Sequence, residues 1–116
     1  MEGQTQRSAT KPVLESAVLS QLATGLEQLS GSLRSRLYNQ EGNMIKELPV
    51  RELIAYMQNY QNNDIFGVVL DGVITQRLIE LAMQRNVRAV YALKANPMPK
   101  RHPELIIYTK EQGKVE

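Results

Sequence analysis

Apolar residues at Leu14, Val18, Leu22, Leu26 and Leu29 recur at three- and four-residue steps and form one stripe. Pro12 fits a first helical turn, where its missing N–H has no intrahelical bond to lose, so the stripe predicts an amphipathic helix over residues 13–30, ending at Ser30-Gly31. Residues 1–12 are polar and lack an apolar period, which reads as a disordered leader or linker. Residues 33–38 alternate apolar or small with charged side chains, as a half-buried strand does. Turn residues Asn39 to Asn43 then lead into a second strand at 44–48, which together make a β-hairpin. Past Pro49, the positions Val50, Leu53, Ile54 and Met57 return to helical spacing until the polar cluster 58–64.

The run 65–70 is apolar throughout and too short for a free-standing helix, so it reads as a strand covered on both faces, broken at Asp71-Gly72. Ile74, Leu78, Leu81 and Ala82 share one helical face, and 87–93 is strand-like again, which makes a β-α-β unit. Residues 94–104 hold three prolines and read as a loop, 105–109 as a last strand, and 111–116 as a polar tail. The prediction is an α/β fold: a mixed sheet of about five strands with a β-hairpin, a β-α-β unit and about three helices. Residues 31–110 form the domain proper.

Composition narrows the classes. With 42% hydrophobic and 22% charged residues over 116 positions, the chain has enough apolar surface for one core and is not of disordered composition. The absence of cysteine removes disulfides, thiolate-held zinc, iron–sulfur clusters and a cysteine nucleophile, and suits a cytoplasmic protein. No apolar run approaches the ~18 residues that cross a bilayer, so no membrane role is expected. A net charge of +2 argues little, but from Arg77 to Arg101 six basic residues face one acid, Glu80.

In open parallel sheets ligands lie beyond the carboxyl ends of the strands, which directs attention to the segments after Leu70 and Leu93; these are expected to be neighbours. The first offers Asp71, Gly72, Thr75, Gln76 and Arg77, with Thr75 or Asp71 able to accept backbone hydrogen bonds at the next helix's start. The second offers Lys94, Asn96, Lys100, Arg101 and His102 on a proline-stiffened loop. A carboxylate beside a cationic loop recognises a charged partner surface; the plainer reading is a helix cap or an Asp71–Lys94 pair among solvated cations. His102 is the sole histidine and is expected to be exposed, with no zinc site. The five tyrosines share no spacing and read mostly as packing residues. The stripe Leu14, Val18, Leu22, Leu26 and Leu29 either covers a face of its own sheet or serves as a groove-filling or dimerising helix.

No phosphate loop, dinucleotide fingerprint or nucleophile elbow occurs. Asp71 stands alone at its strand end, with Lys94 at the next, and metal-dependent phosphoryl transfer needs several oxygen ligands, so no catalytic or metal site is expected.

The segments 33–38, 47–53 and above all Val68-Val69-Leu70-Asp71-Gly72-Val73-Ile74-Thr75-Gln76-Arg77-Leu78 resemble the C-terminal region of the archaeal DnaG-type primases, from about Gly31 to Thr109. Lys94-Ala95-Asn96 with Lys100-Arg101 sits where that family's basic loop would be. The resemblance implies a fragment whose parent carries a magnesium-binding Toprim catalytic domain elsewhere, so that no cofactor belongs to this part. It further implies DNA replication and the MCM helicase as one setting. The other is the archaeal RNA exosome, met through a cap subunit, with a preference for adenine-rich RNA. On that footing the chain is expected to be a protein-docking domain, with RNA or single-stranded DNA binding through Arg77, Arg88, Lys94, Lys100 and Arg101 as the alternative. Its oligomeric state is left open.

Overall fold

A computed structural model describes residues 6–96, 104–110 and 114–115, with side chains for 16–96 and 104–110. Helix α1 (Gln6–Gln28) precedes the hairpin β1 (Arg34–Tyr38) and β2 (Met44–Pro49). A 3-10 turn (Val50–Glu52) and the short α2 (Leu53–Gln58) follow, then β3 (Gly67–Ile74), α3 (Gln76–Gln84), β4 (Ala89–Ala95), β5 (Ile106–Thr109) and the two-residue β6 (Lys114–Val115). One mixed sheet results, in the order β2-β1-β3-β4-β5-β6. β3, β4 and β5 run parallel, and the pairs β1–β2, β1–β3 and β5–β6 are antiparallel. The α/β class, hairpin and β-α-β unit are as the sequence predicts.

The sheet is covered on both faces. On one, Val18, Leu22, Leu26 and Leu29 pack with Tyr38, Phe66, Val69, Ala89 and Tyr91. On the other, α2 and α3 bring Leu53, Met57, Leu78, Ile79 and Ala82 against Leu37, Val68, Leu70, Val90 and Ile107. Alternation along β3 therefore sends Val69 to the α1 side and Val68 and Leu70 to the other, which is why this run carries no polar residue before Asp71. α1 approaches β3 so closely that a Cβ on Gly67 would lie 2.6 Å from Leu22 Cδ1, so a larger residue there would force the buried Leu22 side chain to shift. The helix ends at Gln28, and the turn after it passes through Gly31, whose φ of +80° glycine adopts freely.

Three boundaries differ from the sequence prediction. α1 begins at Gln6 and takes in residues assigned to the leader, which places Pro12 in its second turn and not, as the sequence predicts, in its first. β3 does not break at Asp71-Gly72 but continues to Ile74, its pairing with β4 shifting between Leu70 and Val73 through a bulge. The expected tail contains β6, which Tyr108 and Thr109 recruit by antiparallel pairing.

Leu26 is 1% exposed. Leu26→Ala is expected to lower unfolding free energy by about 2–5 kcal/mol, read from urea titrations. A loss under about 0.5 kcal/mol, the size of a surface substitution, would mean that α1 is not part of the cooperative core.

Candidate functional site

The parallel pairing of β3 and β4 brings their carboxyl ends together: Val73 lies opposite Lys94 and Ile74 opposite Ala95, and the Asn96 N–H donates to Ile74 O at 3.0 Å. The two segments are thus neighbours, as predicted. Lys94 and Arg77 are exposed there, and Arg51, at the carboxyl end of β2, is exposed as well. Thr75 caps α3, its Oγ1 accepting from the Leu78 N–H at 3.2 Å. Gln76 is half-buried; its Nε2 donates to Glu80 Oε2 at 3.3 Å. Lys100, Arg101 and His102 lie outside the described residues.

Asp71 takes neither of the simple roles considered for it. Lying inside β3 at 2% exposure, it caps no helix, and among the described residues no ion pair joins it to Lys94. Its Oδ2 instead accepts the Leu33 N–H at 2.7 Å, while Leu33 O accepts the Val50 N–H at 3.0 Å. Leu33 has a φ of +60° and a side chain 70% exposed. The carboxylate thus holds a non-glycine residue in a left-handed conformation that costs on the order of 1–3 kcal/mol, and ties the start of β1 to the centre of the sheet. The other oxygen, Oδ1, is buried and has no hydrogen-bond partner among the described residues. Gly72 beside it faces Val50, 3.5 Å from where a Cβ would stand. Among the described residues no three His, Cys, Asp or Glu side chains gather as a metal site would require.

Of the leucine stripe's two readings, the structure takes the first: Val18, Leu22, Leu26 and Leu29 are buried on the chain's own sheet, and Leu14's side chain lies outside the described residues. Tyr38 and Tyr91 are packing residues, Tyr91 stacked on Tyr108 with ring centroids 4.9 Å apart. Burial pushes the Tyr91 phenol up, with Tyr108 adding to the shift.

Two features went unread in the sequence. On the α1 face of the hairpin, Glu47 Oε2 accepts from Arg34 Nε at 2.8 Å and Oε1 from Arg36 Nε at 2.9 Å. Arg36 above all, then Arg34, holds the Glu47 carboxyl below its ordinary range. The alternation of Arg34 and Arg36 against Glu47 was there to find, given the hairpin register. On the opposite face, an open cleft of about 690 Å³ lies between β2 and α2, lined by Lys46, Leu48, Tyr56, Asn59 and Tyr60 among others. Tyr56 and Tyr60, one helical turn apart, bring their rings to 5.6 Å, and the Tyr60 hydroxyl donates to Asp64 Oδ1 at 2.7 Å. No described helix is long and apolar enough to cross a membrane.

The geometry defines a class first: an α/β domain with helices on both sheet faces, a cationic carboxyl end and its strand acid turned inward. No family profile matches the chain. The DNA primase DnaG of Pyrobaculum islandicum is 33% identical over 110 residues, which is 94% of this chain and 27% of that protein. That of Staphylothermus marinus is 37% identical over 84 residues, 72% of this chain and 20% of the relative. That of Saccharolobus islandicus is 31% identical over 104 residues, 90% and 26% respectively. The chain belongs to the archaeal DnaG-type primases as a stretch that spans about a quarter of the length of these relatives.

Two outcomes follow from these contacts. Asp71→Ala removes the acceptor of the Leu33 amide and is expected to cost about 1–3 kcal/mol, with faster hydrogen exchange at Leu33 than at Val69. Glu47 has a depressed carboxyl, so its stabilisation is full above the unfolded-state value and is lost as pH falls through the lower folded value. Being 30% exposed, it contributes no more than about 1 kcal/mol. The stability gap between wild type and Glu47→Gln, measured by denaturant titration, is expected to be present at neutral pH and to close under acid.

Proposed function

We propose that this chain is the C-terminal protein-docking domain of an archaeal DnaG-type DNA primase. It has no catalytic centre of its own and couples the enzyme to the MCM replicative helicase or to a cap subunit of the RNA exosome. One observation carries this reading: at the carboxyl end of the sheet Arg51, Arg77 and Lys94 are exposed, while Asp71 is turned inward and bound to the Leu33 amide. A magnesium ion at Asp71 would have to displace that amide and recruit further oxygens, whereas an acidic protein surface meets the exposed cations directly. Catalysis by the parent, and magnesium with it, then belongs to a Toprim domain elsewhere.

The same cations favour a second reading, in which adenine-rich RNA or single-stranded DNA binds here with an affinity falling steeply as salt rises. Titrating labelled chain with purified helicase and with exosome cap subunits separates the two. Saturable micromolar binding to one of them, weakened about tenfold by Arg77→Glu with Lys94→Glu, is the expected result. Absence of binding to both proteins would overturn the docking reading. Retardation of adenine-rich RNA at low salt, lost in the same double variant, would establish the second.

A further inference from the structure

Strand β2 ends the sheet: it pairs with β1, and among the described residues no strand pairs with its outer edge. The Val50 N–H donates to Leu33 O, and Leu48 O faces β1, where Ser35 Oγ donates to it at 3.0 Å. Antiparallel alternation then turns the N–H and C=O of the intervening Glu47 outward, together with the C=O of Pro49. An extended backbone is the partner that answers such a row. Beneath this edge lies the cleft of about 690 Å³, with Leu48 and the Tyr56–Tyr60 pair as its apolar surface and Lys46 on its rim.

We infer that β2 and this cleft together receive an extended segment of another protein as a seventh strand. The segment carries an acidic and an apolar or aromatic residue separated by one position. This site lies apart from the cationic carboxyl end and does not depend on the docking reading given for it.

Charge and register select the occupant. A residue set opposite Glu47 exchanges backbone hydrogen bonds with it and points to the α1 face, where Arg34 and Arg36 already hold the Glu47 carboxylate. Its two neighbours point to the cleft face, one opposite Lys46 and one opposite Leu48. Lys46 is exposed and has no ion pair among the described residues, so an acid is favoured opposite it. The position opposite Leu48 lies over Tyr56 and Tyr60 and takes an apolar or aromatic side chain. Glu52, which also lines the cleft, disfavours a second acid there and sharpens the spacing.

A second copy of the chain is a poor occupant. Two-fold antiparallel pairing that keeps the cleft faces together and pairs five residues of β2 must set Lys46 on Lys46 or Glu47 on Glu47. Lysine and a strand-terminal proline are devices that keep an edge from pairing with its own kind, and both are present here as Lys46 and Pro49. An acidic partner strand meets the first and ends before the second.

The test uses blocked β-prone peptides carrying Phe-Val-Glu or Phe-Val-Lys at their centre, the order that antiparallel pairing requires to set the charge opposite Lys46 and the ring opposite Leu48, titrated into isotopically labelled chain and followed by backbone NMR. The glutamate peptide is expected to shift the amides of Met44 to Leu48 and the Tyr56 and Tyr60 signals, and to slow hydrogen exchange at Glu47. Lys46→Glu, an exposed substitution whose fold the same spectra verify, is expected to weaken the glutamate peptide about threefold to tenfold and to strengthen the lysine peptide comparably. Arg77→Glu with Lys94→Glu should leave both affinities unchanged, which distinguishes failure here from failure at the carboxyl end. No shift along β2 at millimolar peptide, binding indifferent to the charge swap, or a concentration-dependent dimer through β2 would each overturn the inference.

Discussion

Strand β3 has no solvent face, and most of the structure answers to that constraint. Gly67 to Leu70 are all buried, with α1 against one side and α2 and α3 against the other. Because Gly67 offers no side chain, Leu22 comes down onto the strand itself, and the leucine stripe becomes sheet cover instead of a partner surface. Any polar group in such a strand must find a partner within the protein or bear the cost of desolvation. Asp71 does so by accepting the Leu33 amide, which fixes the turn between α1 and β1 and, through the Leu33 carbonyl, the exit from β2. One buried carboxylate thereby links the central strand to both strands of the hairpin.

How much of this was legible depends on whether a feature is local. The apolar run before Asp71, the amphipathic face Leu78-Leu81-Ala82 and the hairpin turn at Asn39 to Asn43 each announce themselves within a few residues, and each appears where the pattern puts it. Asp71-Gly72 was misread as a strand end because acid and glycine together usually mark a turn. Here the β1 pairing ends at Leu70, but β4 resumes pairing at Val73 and a bulge absorbs the irregularity. The leucine stripe is compatible with sheet cover and with a partner groove alike, and only burial against Phe66, Val69 and Tyr91 decides. Tyr56 and Tyr60 looked scattered among five tyrosines, and their meaning depends on Lys46 and Leu48, distant in sequence, reaching the same cleft.

The inward orientation of Asp71 also shapes what the carboxyl end of the sheet can do. Strand-end acids of metal-dependent phosphoryl-transfer sites turn outward with free lone pairs. Asp71 has one oxygen on a backbone amide and the other enclosed, so among the described residues the exposed charge of this end is the positive charge of Arg51, Arg77 and Lys94. The relatives are DNA primases of which this stretch covers about a quarter, and the docking role proposed for the stretch is compatible with that coverage.

Lys94, at the cationic end, and Lys46, at the β2 edge, are far enough apart to act independently. In the sheet order β1 and β3 intervene between β2 and β4, about 14 Å of lateral spacing. Along the strands, Lys46 lies level with Leu37 and Val68, whereas Lys94 lies level with Val73, roughly 16 Å further on. The two lysines are therefore about 20 Å apart, around twice the Debye length of roughly 10 Å at 0.1 M salt. Charge changes at Lys94 are then screened from Lys46, and the energetic effects of substitutions at these two positions should add. A partner engaging both at once would gain from linkage between the sites without either altering the other's intrinsic affinity.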